Sequence, residues 1–70
     1  MKIEVGEIYS TRGGNIAVIT DDIKKFSPVF SLKGHVKTKE GKMIREVCMW
    51  TNSGDYELGH DTIFDLISKL

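Results

Sequence analysis

Along most of this chain, apolar residues recur at every second position, in short runs separated by glycine-rich or charged breaks. That is the period of half-buried strands, not of helices. Ile3 and Val5 alternate with Lys2 and Glu4. Gly6 then interrupts, and Ile8 falls out of phase with Val5. A glycine at a phase slip predicts a bulge or sharp bend in a strand over residues 2–11. Arg12-Gly13-Gly14-Asn15 has turn composition and residues 16–20 are almost wholly apolar, so the two segments predict a first hairpin. Residues 21–27 read as a polar connection. Pro28 opens a further strand, where its missing N–H does least harm. Within residues 29–36, Phe30, Leu32, Gly34 and Val36 share one face. Val29, Ser31, Lys33 and His35 share the other.

After a charged turn over residues 37–42, the pattern changes. The strand predicted over residues 43–51 is apolar on both sides, with Met43, Val47 and Met49 on one and Ile44, Cys48 and Trp50 on the other. Such a strand needs cover on both sides. In so short a chain the second cover is expected from another subunit. Asn52-Ser53-Gly54-Asp55 supplies turn chemistry, and a strand over residues 55–58 completes a second hairpin with Trp50 and Tyr56 on its arms. Asp61 is placed to cap a helix, and Ile63, Leu66, Ile67 and Leu70 follow at helical spacing. The expectation is therefore a mainly β fold, a single domain over residues 1–70. It is either a small antiparallel barrel, SH3-like or OB-like, or a strongly curled five-stranded sheet, with a short C-terminal helix. No internal repeat is apparent.

Composition narrows the chemistry. The chain has 70 residues, 29% of them charged, and a formal net charge of zero. Whole-molecule attraction to nucleic acid or an anionic membrane gains nothing from that balance. The charge is unevenly placed. Residues 24–45 hold seven cations (Lys24, Lys25, Lys33, Lys37, Lys39, Lys42, Arg45) against Glu40, or plus six. Residues 46–70 hold five acids against Lys69, or minus four. The basic stretch is either a cationic patch or a set of lysines keeping strand edges soluble. The single cysteine, Cys48, excludes an internal disulfide and reads as a buried, inert thiol. With no signal peptide, it predicts a reducing cytoplasm. No apolar run approaches the roughly 18 residues that span a bilayer.

Catalytic constellations are missing. Gly13-Gly14 is followed by a strand and not by a helix, so it is no phosphate loop. Asp21 and Asp22 lack calcium-loop spacing, and His35 and His60 lack zinc spacing. No nucleophile–base pair stands out. The chain is expected to be non-enzymatic, without metal or cofactor.

Several short motifs carry a resemblance. Ile8-Tyr9-Ser10-Thr11-Arg12-Gly13-Gly14, Gly34-His35-Val36, Trp50-Thr51-Asn52-Ser53-Gly54-Asp55-Tyr56 and Asp65-Leu66-Ile67 follow one another in order. Together they resemble a group of small phage-encoded β proteins with a Y-x-T-R-x-G opening and a W-T-x-(D/N)-G hairpin. This chain has one residue more in the Trp hairpin and a longer apolar tail. The resemblance implies a phage accessory protein acting in the host cytoplasm. Small phage proteins of this size often form homo-oligomers and block a host factor, and several unrelated ones sequester the nucleotide signals of bacterial immunity such as those of CBASS and Thoeris.

Three functions follow as expectations. The first is sequestration of a nucleotide-derived anion at a subunit interface. Trp50, Tyr56 and Tyr9 are its candidate plates for a base; Arg12, Lys33 and Arg45 are its candidate phosphate ligands. Core filling is the competing role for Trp50, which in either case needs a partner for its indole N–H. The second is a protein-interaction module that binds and inhibits a host protein through the two-sided apolar strand. The third is single-stranded nucleic-acid binding, against which zero net charge weighs.

Overall fold

A computed structural model describes all residues, Met1–Leu70. Five antiparallel strands form one sheet: β1 (Ile8–Thr11), β2 (Ile16–Asp22), β3 (Leu32–Lys37), β4 (Met43–Trp50) and β5 (Leu66–Lys69). Their spatial order is β4-β3-β2-β1-β5. The first four make a meander, and the fifth returns beside the first. The mainly β, five-stranded reading therefore holds. The closed barrel does not, because β4 and β5 are both free edges. The nearest link is in the turn after β4, where the Leu66 N–H donates to Gly54 O at 2.9 Å.

One face of the sheet carries the core. Tyr9, Ala17, Ile19, Leu32, Val36, Cys48, Trp50 and Leu66 are buried, and Ile3, Tyr56 and Phe64 pack against them from loops. Cross-strand pairing explains the set. Ala17 faces Val36, Gly34 lies between Ile19 and Cys48, and Leu32 faces Trp50. Gly34 is there for want of space: a Cβ would stand 1.9 Å from the Val18 carbonyl oxygen. On the opposite face Ile8, Val18 and His35 form one cross-strand row, and Ile16, Lys37 and Met43 another. The alternation in β3 thus places Lys33 and His35 on the outward face, as its pattern predicts.

The turns share one design that the sequence reading missed. Thr11–Asn15, Thr38–Lys42 and Thr51–Asp55 each follow Thr-x-x-Gly-x. In each, the threonine N–H donates to the carbonyl four residues on (2.8–2.9 Å), and the glycine N–H returns to the threonine carbonyl (2.9–3.0 Å). The threonine hydroxyl accepts the N–H of the fifth residue, at 3.0, 3.0 and 3.1 Å. The glycines have φ of +84°, +95° and +89°, where a side chain would be strained. This is a type I turn closed by a glycine bulge.

Three expectations are corrected. Residues 62–70 form no helix; Leu66–Lys69 pairs with β1 instead. A two-turn helix is marginal by itself, whereas the free side of β1 offers ladder partners. Residues 55–58 form no strand beyond an isolated Glu57–His60 bridge. Residues 2–5 are not in a strand. Gly6, at φ +89°, turns the chain so that Ile3 falls on the core. The Tyr9 hydroxyl fixes that turn by accepting the Glu4 N–H at 2.8 Å and donating to Lys2 O at 3.4 Å.

Candidate functional site

Edge strand β4 sets the site. Cys48 and Trp50 point into the core, whereas Val47 and Met49 are 59% and 42% exposed. Two register shifts against β3 place Arg45 opposite Val36. Directly paired residues share a face, so Arg45 leaves the strand on the core side. There its guanidinium lies 5.2 Å from the Phe64 ring centre and 5.9 Å from that of Tyr56. It donates to the Tyr56 hydroxyl at 2.7 Å. Tyr56 meets Trp50 edge-on, with ring centres 6.4 Å apart, and Phe64 at 5.1 Å.

A groove of about 320 Å³ opens against this strand, lined by Ser27, Phe30, Val47, Met49 and Tyr56. Four of the five are apolar or aromatic. Phe26, 88% exposed, stands in the turn just before Ser27. Lys33 lies across from Met49.

The six candidate ligand residues separate accordingly. Tyr56 and Arg45 are in contact at the groove, and Lys33 borders it through Met49. Trp50 is fully buried behind Tyr56, its indole N–H donating to Phe64 O at 2.8 Å, which is the partner its burial requires. Tyr9 is also fully buried, its hydroxyl held by the N-terminal segment. Arg12 lies elsewhere, paired with Asp65 at 3.4 Å and Asp61 at 3.6 Å. The groove residues Ser27, Phe30, Val47 and Met49 were not among the candidates. The signal for Val47 and Met49 was the second apolar face of their strand. For Ser27 and Phe30 there was none.

Asp65 organises the loops behind the groove. Its buried carboxylate accepts the N–H groups of Tyr56 (3.0 Å) and Thr62 (2.9 Å), the Thr62 hydroxyl (2.9 Å) and Arg12 (3.4 Å). Burial by itself raises the carboxyl pKa. The hydrogen bonds from Thr62 and Tyr56 and the Arg12 charge outweigh it and hold the group below its ordinary value. The clamp fixes Tyr56 at one end and Phe64, its sequence neighbour, at the other. Cys48 behaves oppositely: burial raises its thiol, against the lowering influence of Arg45, so it stays protonated and unreactive.

No three metal-ligating side chains gather anywhere in the chain. No helix is long and apolar enough to cross a membrane. No family model, curated protein or solved structure matches the sequence or its fold.

Proposed function

We propose that this chain is a non-catalytic phage accessory protein whose task is binding, and that it engages a host protein through the groove against β4. One observation carries the reading: an unpaired strand edge and an apolar groove coincide. An exposed, apolar strand edge is a template for pairing, which folded proteins normally cover or blunt. Here Val47 and Met49 leave it open. In an isolated monomer that exposure is a liability; in a binding module it is the contact surface.

A second reading has its own support. Arg45 is held over two aromatic rings beside the groove, so a base seated against Phe30 and Tyr56 would have a cation at hand for its phosphate. This is sequestration of a nucleotide-derived signal with Tyr56, Arg45 and Lys33 as ligands. Trp50, Tyr9 and Arg12 are engaged within the fold. Homo-oligomers would serve either reading by covering the same edge.

The test compares the natural chain with Met49→Lys. The substitution is on the exposed face and should leave thermal stability nearly unchanged. Under the first reading, the chain retains one stoichiometric host protein, the purified pair reconstitutes, and Met49→Lys abolishes both. Under the second, a nucleotide raises the melting temperature and Tyr56→Ala with Arg45→Ala removes the effect. Partner capture indifferent to Met49→Lys defeats the first; no thermal shift across cyclic dinucleotides and ADP-ribose derivatives defeats the second.

A further inference from the structure

We propose, resting on the reading of the β4 groove as a protein-binding surface, that its occupant is an extended acidic segment that joins the sheet as a sixth strand beside β4. Two independent observations point there.

The first is the state of the strand's own backbone. β4 is eight residues long. None of its N–H or C=O groups makes a backbone hydrogen bond outside its ladder with β3, and no side chain bonds to them. That edge offers donors and acceptors to an added strand, most regularly over Cys48–Trp50, where the pairing with β3 has no register shift. Successive side chains of such a strand point to opposite faces, so one set can fall against Val47 and Met49 and the other towards the Tyr56 side of the groove. The groove supplies side-chain selection, and the edge supplies the main-chain bonds.

The second is uncompensated charge. The molecule's ion pairs involve Arg12 and Lys69. None of the seven cations between Lys24 and Arg45 has a carboxylate within 4.0 Å. Lys24 and Lys25 lie in the turn before Ser27, Lys33 and Lys37 on β3 beside β4, Lys39 and Lys42 in the turn leading into β4, and Arg45 on β4 itself. On β3, β4 and the turn between them five cations stand against two acids, Glu40 and Glu46. The other acids nearby are Asp21, paired across the β2–β3 ladder with Lys33, Asp22, which accepts the Lys24 N–H, and Asp55 and Glu57 on either side of Tyr56. The edge is thus apolar at its centre and cationic around it. A strand carrying Asp or Glu between aliphatic residues complements both properties. The β4 of a second copy complements the charge less well, because its one acid, Glu46, is offset by its own Arg45.

The experiment titrates the full-length chain against a fluorescein-labelled eight-residue peptide alternating Glu with Val, followed by anisotropy. Three comparison probes are used: a Lys–Val peptide, the Glu–Val peptide with a central proline that removes a ladder N–H, and oligothymidylate. The acidic peptide should bind about tenfold or more tighter than either comparison peptide, with affinity falling as salt is raised. Lys33→Glu with Lys42→Glu should weaken it by about tenfold while restoring affinity for the Lys–Val peptide. Equal affinity for acidic and basic peptides, indifference to proline, tighter binding of oligothymidylate, or a stable dimer that no peptide dissociates would each overturn the inference. If the acidic peptide fails while a host protein is still lost on Met49→Lys, the sixth-strand proposal falls and the protein-binding reading stands. If both fail, both fall.

Discussion

Asp65→Asn isolates the clamp behind the groove. The substitution keeps shape and removes charge. In the native chain Oδ1 accepts the Tyr56 N–H and the Thr62 hydroxyl, and Oδ2 accepts the Thr62 N–H and Arg12. An amide retains one oxygen. Its NH2 must then face two donors, whichever way it is turned. One buried N–H left without an acceptor costs about 1–3 kcal/mol. Losing charge assistance on the surviving bonds adds about 1 kcal/mol. The Arg12 contact is long and half-exposed, so it adds less than about 0.5 kcal/mol. The expected loss is about 2–4 kcal/mol, against a total of about 3.5–10 kcal/mol for a 70-residue domain. Trp50 is the one tryptophan, is buried and bonds to the residue preceding Asp65, so its fluorescence in a urea titration reads the clamp directly. The midpoint should fall with little change in slope. Asp61→Asn, at the exposed end of the same arginine, should cost less than about 0.5 kcal/mol. The pH dependence has a definite sign. The native carboxyl is held low, so its contribution is complete above about pH 4, the unfolded value, and is lost as pH falls further. The gap between native chain and variant should therefore shrink between neutral pH and about pH 3. A loss under about 0.5 kcal/mol, or a gap constant into acid, would refute the account.

Two further outcomes follow from packing. Gly34→Ala places a methyl 1.9 Å from Val18 O and 3.1 Å from Ile19 Cα, all backbone, so β2 and β3 must separate; a loss above about 3 kcal/mol is expected in thermal unfolding, and a loss within about 1 kcal/mol would contradict the close approach. Thr51→Val removes the hydroxyl that accepts the N–H groups of Asp55 and Ser53 in a part-buried turn and should cost about 1–2 kcal/mol, whereas Thr38→Val, whose turn is exposed, should cost under about 0.5; equal losses would show that the shared turn design is decorative.

Residue pattern made some of this fold legible and hid the rest for physical reasons. The β1–β2 hairpin and the inward set Leu32, Gly34 and Val36 could be read because alternation maps directly on to faces. The uncovered side of β4 was equally plain, since Val47 and Met49 had no apolar partners to spare. Residues 62–70 misled because Ile63, Leu66, Ile67 and Leu70 satisfy helical spacing, while the deciding partner, β1, lies more than fifty positions away. That Arg45 leaves its strand on the core side is not legible in the pattern, because register shifts leave no trace in a period of two. Tyr56 was expected across a hairpin from Trp50; the turn is where it was expected, but Asp65 takes the Tyr56 N–H and leads the chain away from the sheet. The three Thr-x-x-Gly turns were visible as residues and overlooked as a recurrence. At the site, Tyr56 and Arg45 are in contact, and Trp50 and Tyr9 are spent on the core.

Those recurring turns separate early events from late ones. Each closes over five residues with bonds internal to itself, so the two that join strands, in the β1–β2 and β3–β4 hairpins, let those pairs zip without waiting for distant chain. The β1–β5 ladder has no such shortcut and must await a long search. Pulse-labelled amides in β1 to β4 should acquire protection while Leu66–Lys69 still exchanges freely, and the indole signal of Trp50 should mature with the laggard strand.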